Sequence, residues 1–191
     1  MRLCVFQGTF DPIHNAHLKL ADFVAANFDY DKILFIPAFL PPHKEEPETD
    51  FVHRFNMVKL AIEGSKIFEV SDIESKLGGT SYTYLTILEL YKKYELEGKI
   101  GFIIGEDAFN QIESWYESDK LKELVDFILF SRSANKDDFA KLRSKGYNYT
   151  YADLKFTNIS SSQLRECIKD SCEFIPRKVE EYIDRNKLYE L

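Results

Sequence analysis

Gly8-Thr9-Phe10-Asp11-Pro12-Ile13-His14-Asn15-Ala16-His17 lies between an apolar run at residues 2–7 and a segment in which Leu20, Ala21, Val24 and Phe28 recur at helical spacing. The run predicts a short strand, and residues 15–28 a helix. A glycine at a strand-to-helix junction lets the backbone approach a phosphate closely. The helix N-terminus offers free N–H groups and a positive dipole end. His14 and His17, three apart, share one face of the first turn, where both imidazoles can donate hydrogen bonds to phosphate oxygens. A lone His-x-x-His is more often a helix cap or a packed histidine. The combination with Gly8, Phe10, Asp11 and Pro12 shifts the reading to an anion site. A metal site is the weaker reading, because no third ligand stands at recognisable spacing.

Working outward, apolar runs at 32–36, 67–71, 99–104 and 126–130 have strand length, and a last strand is placed around 149–153. Between them, Phe51, Phe55, Val58 and Ile62 repeat at helix spacing up to Gly64. Ser81 is placed to cap a helix reaching about residue 94. A short helical stretch carries Trp115, a charged helix spans about 137–145, and helices at about 160–169 and 177–186 end the chain. Val179, Tyr182 and Ile183 share one face of the last. Residues 37–50, with Pro41, Pro42 and Pro47, read as a polar loop. Strands alternating with helices predict an α/β fold: a Rossmann-like open parallel sheet with helices on both faces. Such sheets bind ligands at the carboxyl ends of their strands. The unusual residues fall there: 8–17, 37–44, 105–107 and Arg132.

Composition narrows the partners. At 191 residues the chain suits one domain, residues 1–191, with a C-terminal helical part from about 160. Sixteen Phe and eleven Tyr predict an aromatic-rich core (16 and 11 in the sequence). A net charge of −7 argues against a nucleic-acid partner, while leaving room for a locally positive pocket. Cys4, Cys167 and Cys172 form neither a Cys-x-x-Cys pair nor an even disulfide set, so reduced thiols and a cytoplasmic location are expected. No apolar stretch approaches the roughly 20 residues of a membrane span, and no membrane partner is expected.

A second anion signal is Ile159-Ser160-Ser161-Ser162-Gln163-Leu164-Arg165. Serines at a helix start are first of all caps. Three in a row with an arginine a turn later also present hydroxyls, N–H groups and a charge to a phosphate.

The first segment resembles the G-x-F-D-P-x-H-x-G-H signature of the nucleotidyltransferase superfamily, and the second its I-S-S-T-x-I-R motif. The resemblance narrows to the bacterial nicotinate mononucleotide adenylyltransferases. Pro41-Pro42-His43-Lys44 is similar to that family's P-P-H-K loop, and residues 54–63, RFNMVKLAIE, to its next helix. Ser81-Tyr82-Thr83-Tyr84 resembles its S-Y-T segment; Ile103-Ile104-Gly105-Glu106-Asp107 and Trp115-Tyr116 resemble its I-I-G-x-D and W-Y pair. IPRKVEEYIDRNKLY is similar to the family's ending, so the resemblance covers nearly the whole chain. Two positions depart: Gln7 replaces the first glycine of a pair, and Ala16 replaces the glycine before the last histidine.

The resemblance implies adenylyl transfer from ATP to nicotinate mononucleotide. It implies that Gly8, Thr9 and Phe10 with His14 and His17 hold the ATP phosphates, that Lys44 and Arg165 add positive charge, and that Ser160 and Ser161 bind phosphate oxygens. Mg²⁺ arrives with ATP and needs no protein ligand of its own. Trp115 stacks on the nicotinate ring, Thr83 and the Tyr116 backbone recognise its carboxylate, and Asp107 holds a ribose hydroxyl. The ordinary readings are packing for Trp115 and a helix cap for Asp107. Pantetheine-phosphate adenylyltransferases are the rival enzymes, but they carry threonine at the place of His14 and lack the S-Y-T and W-Y segments. Cytidylyltransferases end in a different motif. A catalytically weak nucleotide-binding regulator is the rival from another class, favoured only by Gln7. Nicotinate against nicotinamide preference and oligomeric state are open at this stage.

Overall fold

Strand β1, Leu3–Gly8, divides the interior in two, because successive side chains point to opposite faces. Cys4 and Phe6 pack with Leu20, Ala21 and Val24 on one face; Leu3 and Val5 pack with Ile87 and Leu90 on the other. The computed structural model describes residues 1–42, 47–131, 139–154, 165 and 172–189.

Among the described residues, the strands are β1, β2 (Lys32–Pro37), β3 (Phe68–Val70), β4 (Ile100–Gly105), β5 (Val125–Phe130) and β6 (Tyr149–Tyr151). They form one parallel sheet in the order β3-β2-β1-β4-β5-β6. The order reverses between β1 and β4, where Phe6 is opposite Ile103. A crevice opens at such a switch point, beyond the carboxyl ends of the two strands, and Gly8 and Gly105 stand at those ends. The Rossmann-like parallel sheet expected from the sequence is the fold observed.

The described helices are α1 (Asn15–Asn27), α2 (Phe51–Ala61), α3 (Ile73–Leu77), α4 (Thr83–Lys93), α5 (Glu106–Phe109), α6 (Ser118–Leu124), α7 (Ala140–Ser144) and α8 (Arg177–Asn186). A 3₁₀ turn, Ile112–Ser114, leads into Trp115. Helices α3 and α6, at 5 and 7 residues, are too short to show a period and were not anticipated. The helix expected at 160–169 lies outside the described residues apart from Arg165. No helix among the described residues is long and apolar enough to cross a membrane.

Helix α2 lies where the spacing of Phe51, Phe55, Val58 and Ile62 predicts it, and its buried face also takes in a charge. Its deeply buried side chains are Arg54, Met57 and Val58, while Phe51 and Phe55 are half-buried; the Phe51 ring meets Phe39 edge-to-face and lies tilted against Phe55. Arg54 is 1 % exposed, and its guanidinium donates to carbonyls from separate loops: Thr49 at 3.0 Å, Thr9 at 2.8 Å and Ala38 at 2.7 Å. Burial pushes its pKa down, and nearby Asp11 opposes the shift. Those carbonyls end β1, end β2 and begin α2, so one side chain fixes the rim of the crevice.

Replacing Arg54 by methionine keeps the apolar stem but strands the carbonyls of Thr9, Ala38 and Thr49. A buried polar group without its partner costs about 1–3 kcal/mol. Urea denaturation of Arg54→Met is expected to show a loss of about 3 kcal/mol or more; a loss within error would mean that the carbonyls find other donors.

Candidate active site

The loop after β1 is shaped by two aromatic contacts. Phe10 adopts φ +51°, a left-handed conformation that bulky residues rarely take. Its ring folds back over Gly8, where an added Cβ would lie 3.0 Å from Phe10 Cζ. Gly8 thus leaves room for the Phe10 ring, which a Cβ would press outward by a few tenths of an ångström. Phe10 then meets the His17 ring edge-to-face at 5.1 Å, and Phe6 does so at 5.8 Å.

His14 is the N-cap of α1 and is 2 % exposed. Its ring stacks on that of His17 with centroids 3.6 Å apart and an angle of 25°. The expected shared face is therefore a direct ring contact. The His14 backbone N–H donates to His17 Nδ1 at 3.2 Å. With Nδ1 accepting, the neutral His17 ring carries its proton on Nε2, which leaves that nitrogen as donor. The first N–H groups of α1 add the positive end of the helix dipole at the same place.

The C-terminal part of the chain closes on this loop. Arg165 Nη1 donates to the Asp11 carbonyl at 2.7 Å and its Nε pairs with Glu48 at 2.7 Å. Asn15 Nδ2 donates to the Glu173 carbonyl at 3.0 Å. The buried Asp11 carboxylate accepts from Tyr189 Oη on one oxygen and from Glu48 N and Thr49 N on the other. Burial, then the Asp11 charge, push the Tyr189 phenol far up, so it remains a donor. Asp11 is thereby committed to holding loops. The described residues contain no group of three or more His, Cys, Asp or Glu arranged for a metal.

On the opposite side of β1 a polar cluster lies beneath the start of α4. Glu74, 2 % exposed, accepts from Gln7 Nε2, from Thr86 Oγ1 at 2.9 Å and from Phe39 N at 3.2 Å. Burial pushes its pKa up, and hydrogen bonds from Ser81, Thr86, Phe39 and Gln7 pull it back. Gln7 Oε1 in turn accepts from Thr83 Oγ1 at 2.8 Å. Gln7 points with Leu3 and Val5, away from the histidines, as strand alternation requires.

The predicted residues fall in two groups. Gly8, Thr9, Phe10, His14, His17 and Arg165 are brought together around the loop. Thr83 and Tyr116 lie at the start of α4: Tyr116, 47 % exposed, rests its ring 4.7 Å from that of Tyr82 and 6.3 Å from that of Tyr84. Half-buried Trp115 packs edge-to-face on Phe102 at 6.3 Å. Asp107 is exposed in the first turn of α5, where Gly105, not Asp107, is the N-cap. Lys44, Ser160, Ser161 and Arg132 lie outside the described residues.

Ser81 does not cap α4, whose N-cap is Tyr82. It accepts instead from Phe39 N at 2.8 Å and Leu40 N at 3.1 Å, tying the loop after β2 to the cluster. Sequence reasoning also missed the roles of Arg54, Glu74 and Tyr189. For Arg54 a signal existed, since a cation three residues after Phe51 and four before Val58 falls on the helix's apolar stripe.

His17→Ala is expected to stay folded and to lose about 10²–10³ in turnover, the usual effect of removing one donor to developing charge. A variant that melts far below the wild type, with its folded fraction fully active, would return His17 to a packing role.

Residues 5–167 match the cytidylyltransferase-like family. A Clostridium botulinum (strain Kyoto / Type A2) protein named "Probable nicotinate-nucleotide adenylyltransferase" is 38% identical, with 97% of each chain covered. One of the same name from Clostridium tetani (strain Massachusetts / E88) is 39% identical, again with 97% of each covered. Among solved structures, the Plasmodium falciparum nicotinic acid mononucleotide adenylyltransferase complexed with NaAD superposes with a TM-score of 0.77 at 29% identity, covering 98% of this chain and 97% of that one. With the double-histidine loop at the switch point of a parallel sheet, these likenesses place the chain in the cytidylyltransferase-like family and, within it, among the nicotinate-nucleotide adenylyltransferases.

Proposed function

We propose that this protein transfers the adenylyl group of ATP to nicotinate mononucleotide, forming nicotinate adenine dinucleotide and pyrophosphate, a step of NAD biosynthesis. The observation that carries the reading is the stacked His14–His17 pair at the N-terminus of α1, beside the switch point, in a chain of this family.

The chemistry asks for little proton transfer. The mononucleotide phosphate is already ionised, attacks the α-phosphorus of ATP, and pyrophosphate leaves as a stable anion. The site must hold two anions in line and neutralise the charge on the phosphorus in flight. In this reading His17 Nε2–H and the His14 ring face the ATP phosphates, and the substrate is the magnesium complex of ATP, with the ion on phosphate and water oxygens. Arg165 supplies further charge. Its partner Glu48 has a side chain 58 % exposed, and such a surface pair is worth only about 0–1 kcal/mol, so phosphate can displace the carboxylate. Lys44, Ser160 and Ser161 complete the phosphate-binding set. The pyridine ring lies against Trp115 with its carboxylate toward Thr83 and Tyr116, and Asp107 takes a ribose hydroxyl. A cytoplasmic location suits a chain whose Cys4 is a free, buried thiol.

The weak-regulator reading drew on Gln7, and that side chain turns into the Glu74 cluster and leaves the phosphate loop clear. Pyrophosphate release should follow mixing with ATP and nicotinate mononucleotide. Release with phosphopantetheine alone would move the protein to the rival enzyme family.

Trp115, the one tryptophan in the sequence, gives a second test. Its emission should change on adding nicotinate mononucleotide and not on adding ribose phosphate. Trp115→Ala should weaken mononucleotide binding by about 1–2 kcal/mol, the scale of ring stacking, and leave ATP binding unchanged. Loss of ATP affinity alone would contradict the assignment.

A further inference from the structure

The Gln7 side chain bridges Glu74 and Thr83 by hydrogen bonds. The direction of each bond in its chain is fixed from the inside outward. Glu74 faces converging donors: Thr86 Oγ1 and Gln7 Nε2 at one oxygen, Phe39 N at the other, with the Ser81 hydroxyl also bonded to it. Ser81 Oγ already accepts from Phe39 N and Leu40 N, so its own proton goes to Glu74. A carboxylate so surrounded is an acceptor. The Gln7 amide must therefore turn its NH₂ to Glu74 and its carbonyl to Thr83. The Thr83 hydroxyl has one proton, and that proton is committed to Gln7 Oε1 at 2.8 Å. Thr83 Oγ1 can then offer a ligand only lone pairs.

A carboxylate and a carboxamide respond to this in opposite ways. Nicotinate presents two acceptor oxygens and gains nothing from a lone pair. Nicotinamide presents an NH₂ that a lone pair accepts. We propose that Gln7 is a positioning residue that narrows the site's preference for nicotinate over nicotinamide mononucleotide, by holding the Thr83 hydroxyl as an acceptor toward the pyridine substituent. The inference rests on the reading that the ring carboxylate meets the start of α4.

The test is the ratio of kcat/KM for nicotinate mononucleotide to that for nicotinamide mononucleotide, measured with ATP. Gln7→Leu fills similar space and frees the Thr83 proton to bond a carboxylate. A hydrogen bond to a charged group is strong enough to raise the ratio about tenfold. Thr83→Val removes the lone pair and should also raise the ratio, about threefold on the scale of a neutral hydrogen bond. Adding Gln7→Leu to Thr83→Val should move it no further. A folded Gln7→Leu enzyme whose ratio stays within about twofold of wild type would leave Gln7 as packing only. A fall in the ratio for Thr83→Val would show that the hydroxyl donates to substrate, and it overturns the inference even if Gln7→Leu does not fold. Turnover of neither mononucleotide by the wild type removes the underlying reading, and this inference with it.

Discussion

The guanidinium of Arg54 is out of water, and its hydrogen-bond partners are backbone carbonyls of Thr9, Ala38, Phe39 and Thr49. A buried cation tolerates this only when its donors are well used. The requirement runs both ways, since carbonyls at loop ends have no ladder partner and need a donor. The loop after β1, the loop after β2 and the entry to α2 are thereby held to one fork-shaped group. The aromatic packing of Phe10 on Gly8 and the stacking of His14 on His17 are built on a backbone that this group holds at Thr9.

Around that anchor the crevice has two chemically different sides. The side facing α1 carries the imidazoles, the helix dipole and Arg165, and suits phosphate. The side facing α4 carries aromatic rings over a polar floor built on Glu74, and suits a flat polar ring. Strand β1 separates them by alternation alone: Phe6 turns toward His17, and Gln7 toward Thr83.

Much of this was legible in the sequence for physical reasons. The apolar runs of β1, β2, β4 and β5 are buried on both faces, so they stand out as continuous stretches. The histidine pair was legible because three-residue spacing on a first turn forces proximity. What stayed hidden depended on contacts distant in sequence. Glu74 sits in a helix of 5 residues with no period, and its partners are 67 positions back, at Gln7, and 12 forward, at Thr86. A serine before a helix usually caps it; here the loop after β2 competes for the Ser81 oxygen and wins. Asp11 stands within a signature, and its bond to Tyr189, 178 residues away, leaves no mark in that local pattern.

That span also bears on how the protein comes into being. The loop holding the histidines is synthesised well before Arg165, Glu173 and Tyr189, which supply three of its fastenings. A chain growing from its N-terminus can pair β1, β2 and β4 well before those residues emerge. Until then the loop has the Arg54 bond at Thr9 and the Glu48 and Thr49 bonds to Asp11, and lacks the later ones. The order of synthesis thus sets the pairing of the early strands apart from the contacts that Arg165, Glu173 and Tyr189 make with the loop.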